Sequence, residues 1–307
     1  SLNELDSLAN IVAIKHPSIN EIILDDTIMD SLTYGPGWMW DEGDEWYSAQ
    51  ISALSVNDNC IDFIINPSTN GNLINIETYP YSSYYTFLNQ AYTVNDTVDF
   101  EKLKITRDWK NNRNSFLITG SVMDTSSVDT IIRNVDEPTN YTGYLFREML
   151  IKKGLDIKKL NKGIYSNSGT EIATHYSKPL PSILKNLMVE SDNLTAELLV
   201  KIIGYEYSQI EGNWQNGLHA MKVFLHDKVS LDTTSFSISD GSGVSRYNYS
   251  SANNFISLLS WAYHNSEIRN NLLSILSFTG EKGTLLDRAL PNGVYAKTGS
   301  LSGVSTF

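Results

Sequence analysis

The residues best suited to chemistry lie near the end of the chain, where residues 295–300 read Tyr-Ala-Lys-Thr-Gly-Ser. We predict a strand here that presents the Lys297 ammonium and the Thr298 hydroxyl and then omits a side chain at Gly299, so that another backbone can lie against it. The ammonium can attract a carboxylate, and Thr298 and Ser300 can donate hydrogen bonds to the same carboxylate. The segment therefore predicts a site for an extended peptide. A simple edge strand protected by Lys297 is the alternative interpretation.

A second candidate pair, Ser191 and Asn193, lies far upstream in a turn between two predicted helices. The hydroxyl can relay a proton to a leaving amine, and the amide two residues later can hydrogen-bond a peptide group. A Ser-x-Asn match is expected by chance in a chain this rich in Ser and Asn, and a helix N-cap is the simpler explanation of Ser191 taken alone. The functional interpretation requires that Ser191 and Lys297 face each other across a shared groove.

Such chemistry also needs an activated nucleophile, and the sequence contains no convincing candidate for one. Ser-Asp-Asn, Lys-Thr-Gly and Ser-x-x-Lys are three motifs that occur together in penicillin-binding proteins and class A β-lactamases. Ser-x-x-Lys places an amine one helical turn from a hydroxyl, within reach to deprotonate it. The one match is Ser182 with Lys185, on the helix that leads into Ser191. Because a nucleophile should approach from a separate helix, we do not assign that role to Ser182.

The bulk composition narrows the classes of partner. The 307 residues carry a formal net charge of −12 and are 41% hydrophobic, which predicts a globular chain with more than one core. This acidity argues against nucleic acid or an anionic membrane surface as a partner. Cys60 is the single cysteine, so an internal disulfide is excluded, and the five histidines lack metal-ligand spacing. We predict no metal or other cofactor and no transmembrane segment in this chain.

Periodicity divides the chain into two regions with a boundary near residue 165. Residues 1–165 alternate short β-type runs with turn clusters, and helices are expected only near the start and at 141–153. Residues 166–307 contain amphipathic helices followed by the Lys297 strand. We therefore expect an α/β fold in which mostly β domains precede a helix-and-sheet domain. In that second domain, helices are predicted at 180–189, 194–203, 214–229 and 252–264, and a short strand at 235–239.

Two loops could support a site. The loop from Gly35 to Tyr47 packs three Trp among four carboxylates, which include Asp41 and Glu42. A structural, solvated loop is the simpler interpretation, and a subsite in which a carboxylate meets the ammonium of a peptide is the alternative. The other loop, 240–246, reads Asp-Gly-Ser-Gly-Val-Ser-Arg, and its glycines would let it lie close to a wall of the site. We assign it a supporting role.

These segments together resemble the class C low-molecular-mass penicillin-binding proteins, the D-alanyl-D-alanine carboxypeptidases and endopeptidases of bacterial cell-wall metabolism. The resemblance implies a penicillin-binding, transpeptidase-like (β-lactamase-like) α/β domain over residues 166–307, incomplete here, with helices packed on an antiparallel sheet. Mostly β inserted domains over residues 1–165 would precede it. Besides the two motifs, the resemblance is carried by residues 24–26, 36–47, 52–57, 59–60, 177–180 and 240–248.

The resemblance implies a serine-type peptidase that cleaves D-Ala-D-Ala in peptidoglycan stem peptides through an acyl-enzyme and that β-lactams inhibit. Ser191 would shuttle the proton, and Asn193 would hold the stem-peptide amide. Lys297 and Thr298 would engage the terminal carboxylate. A periplasmic or other extracytoplasmic location is implied as well.

Further substrate-binding positions follow from the same resemblance. Gly299 would keep the strand edge open to the peptide, and Ser300 would give its backbone N–H to an oxyanion hole. Where the family carries an acidic residue near the stem-peptide ammonium, this chain offers Asp41 or Glu42, and the choice stays open. The Ser-x-x-Lys helix of the family precedes the inserted domains, so we expect the nucleophile upstream of residue 1 and the last strands beyond residue 307.

Two other functions stay open from the sequence. A non-catalytic relative would bind stem peptides without cleaving them, in keeping with the lack of a usable Ser-x-x-Lys. A plain β-lactamase is less favoured because the long β-rich region before Ser191 has no obvious use in one. A helix bearing Ser-x-x-Lys in the residues that precede this chain would favour the enzyme, and the isolated chain is expected to be inert.

Overall fold

The structure is a computed structural model and describes residues 1–166, 168–281, 283–286, 288–301 and 304–306. Its contacts divide the chain into two units. The first unit contains Ser1–Thr27 and Trp40–His175, and the second contains Ile28–Met39 and the chain from Tyr176 onward. This division falls ten residues later than the boundary drawn from the sequence, and it assigns an early segment, 28–39, to the second unit.

The first unit is built mainly from short strands, which are framed by two helices. Within its described residues, the elements are α1 (Leu2–Lys15), β1 (Glu21–Leu24), β2 (Cys60–Asn66), β3 (Asn75–Tyr79), β4 (Thr86–Asn89), β5 (Tyr92–Val94), β6 (Lys104–Arg107), β7 (Ser115–Thr119), β8 (Ser121–Met123), β9 (Asp129–Asn134), α2 (Pro138–Lys152) and β10 (Lys159–Lys162). The β-type runs and the two helices expected in this region are confirmed.

Strand β2 organises the core of the first unit. Its side chains alternate, so Ile61, Phe63 and Ile65 are buried while the residues between them are partly exposed, as the pleat of a strand requires. β2 pairs antiparallel with β3 and β9, and the sheet of β4, β7 and β6 adds Phe116 and Ile118 to the same core. A parallel pair, β1 and β10, packs with α1 and α2 around a second apolar cluster.

The second unit is mainly helical. Within its described residues, the elements are α3 (Leu180–Glu190), α4 (Asn193–Ser208), α5 (Trp214–Asp227), α6 (Ala252–His264), α7 (Ser266–Ile275), β11 (Ser277–Phe278), β12 (Tyr295–Ala296), β13 (Gly299–Leu301) and β14 (Val304–Thr306). The four predicted helices are confirmed, and α7 was not predicted. The predicted strand at 235–239 is wrong: Ser237 forms one isolated bridge, to Tyr249. β11 pairs antiparallel with β12, and β13 pairs antiparallel with β14.

Close packing of α4 against α5 gives the second unit its framework. The two backbones approach at Gly217, where an added Cβ would overlap the carbonyl oxygen of Val200. Only glycine permits that approach. The side chain of Asn213 caps α5 by accepting the N–H of Asn216 at 2.8 Å, which fixes where α5 begins. Among the helices that the structure describes, none is both long and apolar enough to cross a bilayer.

Candidate active site

Ser191 lies in the two-residue connection between α3 and α4. Its backbone is left-handed, with φ 61° and ψ 50°, and its N–H donates to Leu187 O. Asp192 then caps α4 by accepting the N–H of Thr195 at 2.9 Å. The N-cap of α4 is therefore Asp192, whereas Ser191 is the C-cap residue of α3. A non-glycine residue in the left-handed region is often part of a functional turn. Asn193 begins α4, so the structure places both members of the predicted pair on one turn between two helices.

The Lys297 ammonium lies against the Ser191 hydroxyl. Nζ donates to Ser191 Oγ at 2.8 Å and to Thr298 O at 2.7 Å. The Lys297 side chain is half-buried, and this burial lowers its pKa. A cation at this distance stabilises negative charge on the oxygen and attracts a carboxylate. The predicted neighbourhood of Ser191 and Lys297 is confirmed, and the roles assigned to the two residues stay predictions.

Lys297 and Thr298 lie between two strand pairs. β12 ends at Ala296, and β13 begins at Gly299, which pairs with Thr306. The prediction of one continuous strand through Lys297 is therefore wrong at two residues, because the chain changes its pairing partner there. Of the other predicted binding positions, Thr298 and Gly299 are half-buried and Ser300 is exposed. Residues 302 and 303, which follow this segment, lie outside the described residues.

Asp41 and Glu42 lie in the first unit, in a single 3-10 turn. The loop that follows is anchored by the buried Arg107, whose Nη2 donates to Gly43 O at 2.8 Å. Asp41 is exposed, and Glu42 is half-buried. Burial, together with the charges of the neighbouring carboxylates, raises the pKa of Tyr47. The loop thus presents a negative potential that would suit an ammonium, and the choice between Asp41 and Glu42 stays open.

Asp240 organises the glycine-containing loop that was assigned a supporting role. Its carboxylate accepts the N–H of Gly243 at 3.0 Å and that of Ser245 at 2.5 Å. Trp38 Nε1 donates to it at 3.0 Å, and Asn248 Nδ2 donates at 2.6 Å. One buried carboxylate therefore holds both ends of the loop and ties segment 28–39 to it. Charge-assisted bonds of this kind are stronger than neutral ones.

A second buried carboxylate, Glu197, was missed by the sequence analysis. It lies on α4, one turn after Asn193, and is 0% exposed. Its oxygens accept the N–H groups of Gly241 and Ser242 and the indole N–H of Trp214. Burial, with the negative charge of Asp240, raises its pKa. A carboxylate at a core-facing helix position is the sequence signal that could have identified it.

Lys201 gives the same signal one turn further along α4. It is 0% exposed, and Nζ donates to Asp30 Oδ1 and to Leu32 O, both at 2.5 Å. The ammonium also lies 3.9 Å from the ring centroid of Trp214, a distance typical of a cation–π contact. These bonds explain why segment 28–39 belongs to the second unit.

The position of Ser182 agrees with the decision not to assign it the role of nucleophile. It is exposed in the first turn of α3, as is Lys185 one turn later. Ser182 precedes Ser191 by nine residues of helix, which corresponds to about 13 Å along the axis. The two hydroxyls are therefore too far apart for direct proton transfer.

No group of three or more His, Cys, Asp or Glu side chains within the described part of the chain could hold a metal ion. The candidate site thus consists of a hydroxyl, a half-buried ammonium, a helix terminus and a strand edge. These groups suit proton relay and recognition of a carboxylate-bearing peptide.

The chain is similar to known proteins along its whole length. The model of the D-Ala-D-Ala carboxypeptidase 3 (S13) family matches residues 1–307. A D-alanyl-D-alanine carboxypeptidase from an Actinomadura species is 31% identical over 330 residues, which cover 100% of this chain and 60% of that protein. Two crystal structures of penicillin binding protein 4 from Haemophilus influenzae, the second in complex with a β-lactam, match with TM-scores of 0.83 and 0.75 at 24% and 22% identity.

The structural matches cover 99% of this chain and 68% and 67% of the two Haemophilus chains. They show the fold: the predicted α/β, penicillin-binding architecture is confirmed. The chain spans about 60% of the length of its Actinomadura relative. With the family match along its entire length, the resemblance seen in the motifs is confirmed, and the chain belongs to the D-Ala-D-Ala carboxypeptidase 3 (S13) family.

Proposed function

We propose that the protein carrying this chain is a serine-type D-Ala-D-Ala carboxypeptidase or endopeptidase that acts on peptidoglycan stem peptides and is acylated by β-lactams. The observation that carries the proposal is the 2.8 Å hydrogen bond from Lys297 Nζ to Ser191 Oγ. It joins the two motifs that the sequence keeps far apart, and the family match and the β-lactam complex of the Haemophilus protein support the same chemistry.

In the proposed reaction, a serine outside these residues gives up its hydroxyl proton and attacks the carbonyl carbon of the penultimate D-Ala. The peptide C–N bond breaks, and the leaving amine takes a proton handed on by the Ser191 hydroxyl. Water then cleaves the ester: its OH group bonds to the acyl carbon, and its remaining proton returns to the oxygen of the nucleophilic serine. The Lys297 ammonium, held beside Ser191 Oγ, stabilises the oxygen while its proton is in transit and attracts the terminal carboxylate of the peptide.

The remaining positions would bind and orient the peptide. Asn193 would hydrogen-bond a stem-peptide amide, and Thr298 would share the terminal carboxylate with Lys297. Gly299 would leave room for the peptide backbone, and the Ser300 N–H would contribute to an oxyanion hole. Asp41 or Glu42 would meet an ammonium of the stem peptide. Because peptidoglycan lies outside the cytoplasm, the proposal includes an extracytoplasmic location.

The test is release of D-Ala from a stem pentapeptide that ends in D-Ala-D-Ala, measured with the full-length protein by mass spectrometry. We expect release by the wild type and a decrease in kcat of about 100-fold to 10,000-fold for Ser191→Ala, because general acid–base catalysis contributes that much. Circular dichroism confirms that the variant is folded. Saturable binding of the pentapeptide without any release of D-Ala would contradict the enzyme and favour the non-catalytic, peptide-binding alternative.

A further inference from the structure

The Glu197 side chain on α4 holds the loop 240–246 by hydrogen bonds. The carboxylate is 0% exposed, and both of its oxygens are occupied. Oε1 accepts the N–H groups of Ser242 at 2.8 Å and Gly241 at 3.1 Å. Oε2 accepts the N–H of Gly241 at 3.0 Å and the indole N–H of Trp214 at 2.7 Å. Each of these bonds is donated by an N–H group, so the position requires a side chain whose polar atoms are all hydrogen-bond acceptors.

The loop also touches the helix turn that carries the candidate site. A Cβ added at Gly241 would lie 2.7 Å from Ala196 O, so only glycine lets the loop lie this close to the helix backbone. The Ala196 N–H donates to Asp192 O at 3.2 Å, in the first turn of α4. The same turn begins with Asn193. The clamp made by Glu197 therefore acts within one helical turn of the candidate site.

The carboxylate has no simple replacement at this position. Burying a charged group costs free energy, and an apolar side chain of similar size would avoid that cost. An apolar residue would, however, leave the buried indole N–H of Trp214 and the part-buried N–H groups of Gly241 and Ser242 without this acceptor, which is destabilising. An amide would turn its NH₂ group toward one of those donors. A carboxylate is the side chain that satisfies all three.

We infer that Glu197 is a positioning residue, which fastens the loop 240–246 to α4 and so holds in place the start of that helix, where Ser191 and Asn193 lie. Its effect on turnover rests on the proposed function. Glu197 does not touch the reacting atoms in this account. It acts through the loop and the first turns of α4, whose displacement by about 1 Å can cost about 100-fold in rate.

The experiment uses three variants of the full-length protein: Glu197→Gln, Trp214→Phe and the double variant. In Glu197→Gln, the new NH₂ group must face either the Trp214 indole N–H or the loop N–H groups. In the double variant, the indole donor is gone, so the Gln oxygen can accept from Gly241 and Ser242 while its NH₂ group faces the Phe ring. The readouts are the rate of acylation by a penicillin, hydrogen exchange at Gly241 and Ser242, and thermal unfolding.

We expect Glu197→Gln to lower the acylation rate by about 10-fold to 100-fold and to speed exchange at the two loop amides. We expect Trp214→Phe alone to change the rate by less than about threefold. The double variant should recover most of the acylation rate lost in Glu197→Gln. We expect this recovery even though the second substitution should make the double variant less stable than Glu197→Gln. That recovery separates positioning from a general loss of stability.

The inference would be overturned if the double variant were acylated no faster than Glu197→Gln. It would also be overturned if Glu197→Gln were acylated at the wild-type rate although its loop amides exchanged rapidly. A wild-type protein that is not acylated would overturn the proposed function instead. In that case the exchange rates still decide whether Glu197 holds the loop: slow exchange in Glu197→Gln would show that it does not.

Discussion

Lys297 Nζ donates a hydrogen bond to Ser191 Oγ over 2.8 Å, although 106 residues separate the two in the chain. Ser191 belongs to the connection between two helices, and Lys297 to the two-residue link between two strands. The helical and strand parts of the second unit therefore meet at this bond. If the two side chains act as one unit on a bound peptide, removing either one should abolish most of the rate enhancement that the pair provides.

A double-mutant cycle tests this coupling. We expect Ser191→Ala and Lys297→Met each to lower the rate of β-lactam acylation of the full-length protein by about 100-fold to 10,000-fold. The double variant should lose little more than the worse single variant, because residues that act together are strongly non-additive. Lys185→Met, which removes an exposed lysine from α3, is the matched control and should be neutral. Losses that multiply would show that Ser191 and Lys297 act independently.

The left-handed backbone of Ser191 leads to a stability prediction. At φ 61°, a Cβ is strained, so Ser191→Gly relieves a cost that Ser191→Ala retains. We expect the Gly variant to be more stable than the Ala variant by about 1 kcal/mol in urea unfolding. Both variants lack the hydroxyl and should lose the same acylation rate. An Ala variant as stable as the Gly variant would show that Ser191 is not held in this conformation.

The lowered pKa of Lys297 predicts how stability depends on pH. Burial disfavours the charged ammonium, so the pKa in the folded protein lies below the ordinary value of 10.5. Between these two pKa values the unfolded chain binds more protons than the folded one, and the free energy of unfolding therefore rises with pH. Relative to Lys297→Met, the wild type should gain stability as pH rises toward 10.5 in urea unfolding. If the difference in free energy of unfolding between the wild type and Lys297→Met stayed constant or fell as pH rose, burial of the ammonium would be contradicted.

Arg107 should be essential for the loop that carries Asp41 and Glu42. It is 2% exposed, and besides Gly43 O it contacts Asn134 Oδ1 through Nε at 3.2 Å. Arg107→Met leaves these acceptors buried without a donor, so we expect a loss of about 3 kcal/mol or more in the free energy of unfolding.

Arg113→Met is the matched control for that variant. Arg113 is 71% exposed, and its ion pair with Asp108 is 3.9 Å long. An exposed pair of this length contributes little, so we expect a change within about 0.5 kcal/mol. Equal losses in the two variants would show that the buried Arg107 does not anchor the loop.

The sequence predicted the elements whose pattern is local. The helices from α3 to α6 follow from apolar residues at helical spacing, and β2 follows from its alternation. α7 was missed because it begins only two residues after α6 ends, where Asn265 caps it by accepting the N–H of Ile268. The break at Lys297 was missed because a change of pairing partner leaves no mark in the strand's own composition.

The candidate site was predictable only in part, for a related reason. The two motifs located Ser191 and Lys297, and the structure brings them together. The loop that begins at Asp240 was assigned a supporting role, but Glu197 was not identified. The bonds of both carboxylates depend on backbone N–H groups of a loop that meets α4 only in the folded chain. A charged residue at a core-facing helix position, such as Glu197, is nonetheless visible in a sequence and should prompt a search for buried partners.

The most direct test of the account is the intact mass of the full-length protein after incubation with benzylpenicillin. We expect the mass to increase by one covalently bound penicillin per chain, and we expect this adduct to form far more slowly in Ser191→Ala and in Lys297→Met. A folded protein whose mass stays unchanged would contradict the claim that these residues serve a serine D-Ala-D-Ala peptidase.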